Sequence, residues 1–269
     1  MLGAVDVTSL GFRTDLMLRA LEGSEVANYP GYVTVRTPAN PEFWWGNFLL
    51  LPPQEARNEA GRWLSLFRAE FPAVAHVALG IDITDDADAD LAGFVAAGLD
   101  VQRETVLTAP ALREPVRRHR AAALRPLAGD KDWRQSARLR AVCYGEDGPP
   151  ASSAFTEARN AAQRGLAEAG HGAWFGAFFG HELVSQLGVF SDGTGIARYQ
   201  DVATHPDARR QGLASTLLWH AARYATDHLG ATTLVIVADP AEPAIWVYRS
   251  AGFADRETQV SMQRAPSQI

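Results

Sequence analysis

Gln200-Asp201-Val202-Ala203-Thr204-His205-Pro206-Asp207-Ala208-Arg209-Arg210-Gln211-Gly212-Leu213-Ala214 reads as a short strand that breaks at a proline, turns through a glycine and becomes a helix. Such a junction builds an anion cradle. The first helical turn leaves backbone N–H groups without partners, and the aligned peptide dipoles add partial positive charge, so a diphosphate docks there with little side-chain help. Gly212 lets a phosphate approach the main chain, and the small Ala214 keeps the first turn open.

The sequence beyond the cradle extends the pattern. Leu213, Leu217, Ala221, Tyr224 and His228 recur every three or four residues, the spacing of one buried helical stripe, and Gly230 is a natural stop. Thr232 to Ala238 is then a continuous apolar, partly β-branched run, as in a strand buried on both faces. Strand, helix and strand in this order imply a right-handed parallel crossover. Ala244 to Phe253 follows as a short helix with Pro243 at its start and Tyr248 four residues before Gly252-Phe253.

Arg209-x-x-Gly212-x-Ala214 after a strand, with Tyr248 before Gly252-Phe253, resembles the acyl-CoA-binding and closing motifs of the GNAT superfamily of CoA-dependent N-acyltransferases. The resemblance covers the chain well from about residue 120. It implies an α/β fold of the α+β kind, a mostly antiparallel mixed sheet with one parallel strand pair and flanking helices. It also implies acetyl-CoA as donor, held by the main chain of Val202, Ala203 and Thr204 and by Arg209, Arg210, Gln211, Gly212, Leu213 and Ala214. The coarse reading agrees: strand from Ala121 to Leu127, helices from Lys131 to Tyr144 and from Ser152 to Ala169, a hairpin of Ala173–Phe179 and Glu182–Phe190, and a strand from Ile196 to Ala203.

The chain also repeats itself. An offset of 154 residues aligns Pro52 with Pro206, Ala60 with Ala214, Leu64 with Leu218, Asp85 with Asp239 and Gly98 with Gly252, and lays the apolar run His76 to Thr84 over Gly230 to Ala238. Two tandem copies of one fold are therefore expected: residues 1–112, a linker at 113–120 rich in arginine, and 121–269. Where the second copy has Arg209, Gly212 and Tyr248, the first has Glu55, Asn58 and Phe94. A glutamate repels phosphate, and phenylalanine has no proton to give. The first copy is expected to be degenerate and non-catalytic. Phe43-Trp44-Trp45, which overlays Ala197 to Tyr199, is expected to be strand and core.

Composition narrows the function. With 47% hydrophobic residues among 269 the chain can build real cores. A formal charge of −6 disfavours sequence-independent nucleic-acid binding, and no uninterrupted apolar run is long enough to span a bilayer. Without a basic-then-apolar start, a cytoplasmic protein is expected. The single cysteine, Cys143, excludes an internal disulfide and reads as a buried, inert thiol. No metal site is expected: Asp86, Asp88 and Asp90 mimic a calcium loop but lack its glycine and closing glutamate.

Acylation of an amine needs a base for the ammonium, stabilisation of an oxyanion and an acid for the departing thiolate. Asp201 is the candidate base and Tyr248 the candidate general acid. The acceptor is a primary amine on a small molecule or peptide, and a homodimer is compatible with the sequence. A CoA-responsive binding module whose chemistry has lapsed is the alternative, and aminoacyl transfer from charged tRNA is a third, disfavoured by the acidic balance.

Overall fold

A computed structural model describes residues 6–55, 60–85, 90–144 and 153–266. The breaker at 145–150, Ser152, the side chains of Glu55 and Asn58, and Asp86 and Asp88 lie outside what is described. The chain divides into two compact units, Met1–Val106 with Arg256–Ile269, and Leu107–Asp255.

The first unit runs α1 (Leu10–Leu21), β1 (Glu25–Tyr29), β2 (Tyr32–Arg36), β3 (Phe48–Leu51), α2 (Ala60–Glu70), β4 (Val77–Ile81), α3 (Ala92–Ala96) and β5 (Asp100–Ala109). The second runs β6 (Ala123–Pro126), α4 (Gly129–Tyr144), α5 (Ser153–Glu168), β7 (Gly172–Phe179), β8 (Glu182–Phe190), β9 (Ile196–Thr204), α6 (Leu213–Leu229), β10 (Thr233–Ala238) and α7 (Ala244–Ala251), after which β11 (Ala254–Arg264) returns to the first unit from Arg256 onward. From β1 to β5 the order is hairpin, strand, helix, strand, helix, strand, and β7 to β11 repeats it. This is the mixed α/β, two-domain architecture anticipated from the internal offset.

In the first unit the strand order is β1-β2-β3-β4-β11-β5, with β3 and β4 parallel and the rest of β1 to β3 antiparallel. The four residues of β3 are all buried because the pleat sends them to two covered faces. Leu49 and Leu51 meet Trp63, Phe67 and Phe94, while Phe48 and Leu50 meet Phe12 and Val35. In the second unit the order is β10-β9-β8-β7-β6, with β9 and β10 parallel. Here Leu213, Leu217, Leu218, Ala221 and Ala225 of α6 pack on Phe175, Leu187, Tyr199 and Leu234. The helix ends at Gly230 with φ 64°, the left-handed cap that glycine adopts without penalty.

Four expectations change. Trp44–Gly46 is a short 3-10 turn rather than a strand; Trp44 stacks on His76, and Trp45 leans on Phe48 and donates to Gln263 at 3.3 Å. Bulky rings in a turn pack around a strand end as well as within a sheet. His228 is exposed in the last turn of α6, stacked on Tyr224. The end of the chain does not close the second unit: from Arg256 onward β11 belongs to the first, pairing antiparallel with β4 from Val260↔Ile81 to Arg264↔Val77. Leu107 and Ala109, at the end of β5, are buried in the core of the second unit. Residues 113–120 also fall within the second unit. No described helix is long and apolar enough to cross a membrane.

Candidate active site

The ladder between β9 and β10 stops at Arg198↔Val235, yet β9 continues to Thr204 and β10 to Ala238. The parallel strands part, and among the described residues one edge of β9 from residue 199 onward has no strand beside it. On its other edge β9 stays paired with β8, but the register slips: Gln186↔Ala203 is followed by Gly188↔Gln200. Asp201 and Val202 thus face the single residue Leu187. Asp201 sits at φ 44°, a left-handed conformation rare for a side-chain-bearing residue. This is a β-bulge, which breaks the ladder and re-aims side chains.

The bulge decides which way Asp201 faces. Its carboxylate accepts a hydrogen bond from Gln163 Nε2 at 2.9 Å and lies 3.9 Å from the Arg159 guanidinium, both on α5. Arg140 and Tyr144, from α4, are within electrostatic range of the same carboxylate. Burial lowers the Arg140 pKa, and Asp201 opposes that shift.

Tyr144 is a site residue that the sequence did not single out. Its hydroxyl donates to Val202 O at 2.9 Å. Although its ring is half exposed, burial is the largest cause raising its pKa, with Asp201 and Tyr248 adding to it. Cys143 beside it is half-buried and donates to Thr204 O at 3.4 Å; burial pushes its thiol up, against a smaller lowering by Arg209. The carbonyls of Val202 and Thr204 therefore point along the edge of β9 away from β8. In an extended strand a residue's N–H lies on the same edge as its C=O, so two amides also line the gap. No motif marks Tyr144, which is simply the last described residue of an amphipathic helix.

Tyr248 lies on α7, buried among Ala208, Leu213, Ile236 and Phe253. Burial alone pushes its phenol up to about 12. It is close enough to Tyr144 for the two phenols to interact. Tyr144 thus interacts with both Asp201 and Tyr248.

The cradle follows β9 directly. A 3-10 turn at Pro206–Ala208 leads to Arg209, whose Nε donates to Thr204 O at 3.2 Å. Gln211 Nε2 reaches Asp207 O at 3.4 Å. Arg210 (φ 61°) and Gly212 (φ 81°) are both left-handed, so the chain turns sharply into α6. Gly212 caps the helix without a side chain, and its carbonyl takes the Thr216 amide at 3.0 Å. The N–H groups of Leu213, Ala214 and Ser215 precede the first intrahelical bond. A Cβ on Gly212 would stand 2.5 Å from the carbonyl oxygen of Arg117. Glycine is thus required by the backbone angle and by a neighbouring main chain, as well as by any phosphate.

Parted parallel strands, a bulge at the parting and a helix start without a side-chain cap thus follow one another along residues 198–214. Residues 133–253 match the model of the Acetyltransferase (GNAT) family. Among solved structures it is similar to a functionally unknown conserved protein from Staphylococcus epidermidis, at 11% identity and TM-score 0.69 over 88% of this chain and 92% of that one. It is similar to a GCN5-related N-acetyltransferase from Kribbella flavida, at 16% and 0.64 over 95% and 96%. A tandem GNAT protein from the clavulanic acid biosynthesis pathway gives 13% and 0.54 over 99% and 98%. At such identities the likeness is one of fold. No curated protein matches the sequence.

Proposed function

We propose that the second unit transfers an acetyl or short acyl group from acetyl-CoA directly to a primary amine on a small molecule or peptide. The observation that carries this reading is the parting of β9 from β10 immediately above an uncapped helix turn. A pantetheine arm fits such a gap by pairing with the amides of Val202 and Thr204, whose carbonyls already accept from Tyr144, Cys143 and Arg209, and the diphosphate then meets the turn at Arg209–Ala214.

The proton steps follow from the positions described. Asp201, oriented by Gln163 and Arg159, takes the proton of the incoming ammonium, directly or through water. The amide edge at the bulge stabilises the oxyanion. As the C–S bond breaks, Tyr248 protonates the thiolate. A phenol near 12 giving a proton to a thiolate whose conjugate acid is near 8.5 is uphill by about 5 kcal/mol. The same burial raises the thiol as well and narrows that gap.

In this reading the first unit is a degenerate copy that carries no donor. Its parallel pair holds to Leu51↔Ile81, where both strands end, and Phe94 stands at the offset position of Tyr248. The test is acetyl-CoA titration by calorimetry, then release of free CoA thiol against a panel of amines. Binding with turnover of an amine is the expected result. Binding without turnover of any amine would make the chain a CoA-responsive binding module, and absence of binding would overturn the donor assignment.

A further inference from the structure

The arginine-rich stretch that reads as a solvated linker is pinned along its length. Arg113 N–H donates to Ala251 O at 2.8 Å, and the Arg117 carbonyl lies against Gly212. His119 N–H donates to Thr216 Oγ1 at 3.1 Å, its Nδ1 accepts from Ala122 N–H at 3.1 Å, and its ring meets Phe179. Each anchor is in the second unit. The strap crosses the start of α6, and between it and that helix lies a cavity of about 640 Å³ lined by Glu114, Arg117, Arg118, His119, Arg120 and His220.

Four arginines fall within residues 113–120, against one glutamate, in a chain of net charge −6. That charge as a whole repels a donor carrying about four negative charges at neutral pH, two on its diphosphate and about two on its phosphomonoester. The cavity reverses the sign locally. Glu114 approaches Arg118 at 3.7 Å, but both are largely exposed and such a pair is weak. The Arg118 guanidinium lies over the Trp219 ring, 4.7 Å from its centroid. His220 is held towards its neutral form by burial first and then by Arg118 and Arg223. The guanidinium groups of Arg117, Arg118 and Arg120 carry their charge in this lining at any pH near neutrality.

We infer that the strap cavity binds the phosphomonoester at the nucleotide end of CoA, so that Arg117, Arg118 and Arg120 make the enzyme discriminate CoA from its 3′-dephospho form. The contact of Arg117 with Gly212 puts this cavity beside the turn assigned to the diphosphate. The inference rests on that assignment and adds residues from outside the cradle.

Calorimetric titration of the full chain with acetyl-CoA and with 3′-dephospho-acetyl-CoA tests it. A charge-assisted phosphate contact predicts at least about ten-fold tighter binding of acetyl-CoA. The ratio should collapse towards one in Arg118→Gln/Arg120→Gln, with folding checked by thermal melting, and should rise in Glu114→Gln. Adenosine 3′,5′-bisphosphate should compete with acetyl-CoA. Equal binding of the two donors to the unaltered protein overturns this inference and leaves the acyltransferase reading intact. So does bisphosphate that binds without displacing acetyl-CoA, which would make the cavity a separate anion site. Failure of acetyl-CoA itself to bind overturns both.

Discussion

The two parallel strand pairs differ at one end. In the first unit β3 and β4 stay paired to Leu51↔Ile81, and Asp82 N–H extends the ladder to Leu51 O at 2.7 Å. In the second unit pairing stops three residues before the end of β10 and six before the end of β9. A closed pair spends its amides on itself; an open pair keeps them for a ligand. Two helix starts also differ, although the offset pairs α6 with α2, whose approach at 56–59 lies outside the described residues. Asp82 accepts from the amides of Thr8 and Ser9, and Glu257 accepts from that of Leu10, so the α1 N-terminus is satisfied by carboxylates from within its own unit. At α6, Gly212 offers no side chain. The same order of elements carries a closed parallel pair in one unit and an open one in the other.

The largest effect expected is from Gly212→Ala. The side chain would be forced to φ 81° and against the Arg117 carbonyl, costing about 2 kcal/mol or more of stability. Acetyl-CoA affinity should fall at least about 100-fold by calorimetry, since turn and strap both move. Retained affinity would separate the cradle from the open strand pair.

Tyr248→Phe should lower kcat by about 10²-fold or more with little change in KM for acetyl-CoA. The converse Phe94→Tyr should add no turnover, because its pair of strands is closed. The same variant has a stability signature. A phenol near 12 when folded and near 10 when unfolded holds its stabilisation below pH 10 and loses it as pH rises from 10 towards 12. The phenylalanine variant should lack that alkaline loss, up to about 3 kcal/mol. Tyr32, pushed up to about 12 by burial and by Glu70, leaves a residual slope in melts taken between pH 9 and 12.

Asp201→Asn should reduce turnover about ten-fold or more at neutral pH and progressively less as pH nears the acceptor amine's own pKa, where less proton removal is needed. A pH-independent defect would instead make Asp201 a positioning residue for α5. The smallest effect is in hydrogen exchange: the amides of Val202 and Thr204 should slow on adding acetyl-CoA, while those of Leu50 and Leu51 should not change.

Much of this was written in local sequence. The glycine stops at 212, 230 and 252, the six-residue apolar strand β10 and the stripe on α6 are short-range patterns, set by backbone sterics and helical period. The offset of 154 residues announced the repetition of elements. Asp201 shows where local reading ends. Alternation along a strand assigns a face only if every residue is paired one to one, and one extra residue in β9 cancels that rule. Tyr144, Arg159 and Gln163 were invisible for a related reason: they reach the site from two helices, even Gln163 standing 38 residues before Asp201, and no spacing encodes that meeting.

The sequence alone determined the elements, their order, their repetition and the turn that leads into α6, because these follow from neighbours along the chain. Only the tertiary structure decided that one parallel pair opens while the other closes, that residues 113–120 lie against α6, and that the last strand from Arg256 joins the first unit. Each of those outcomes depends on which hydrogen-bonding edge finds a partner, a long-range choice that propensity and period do not carry.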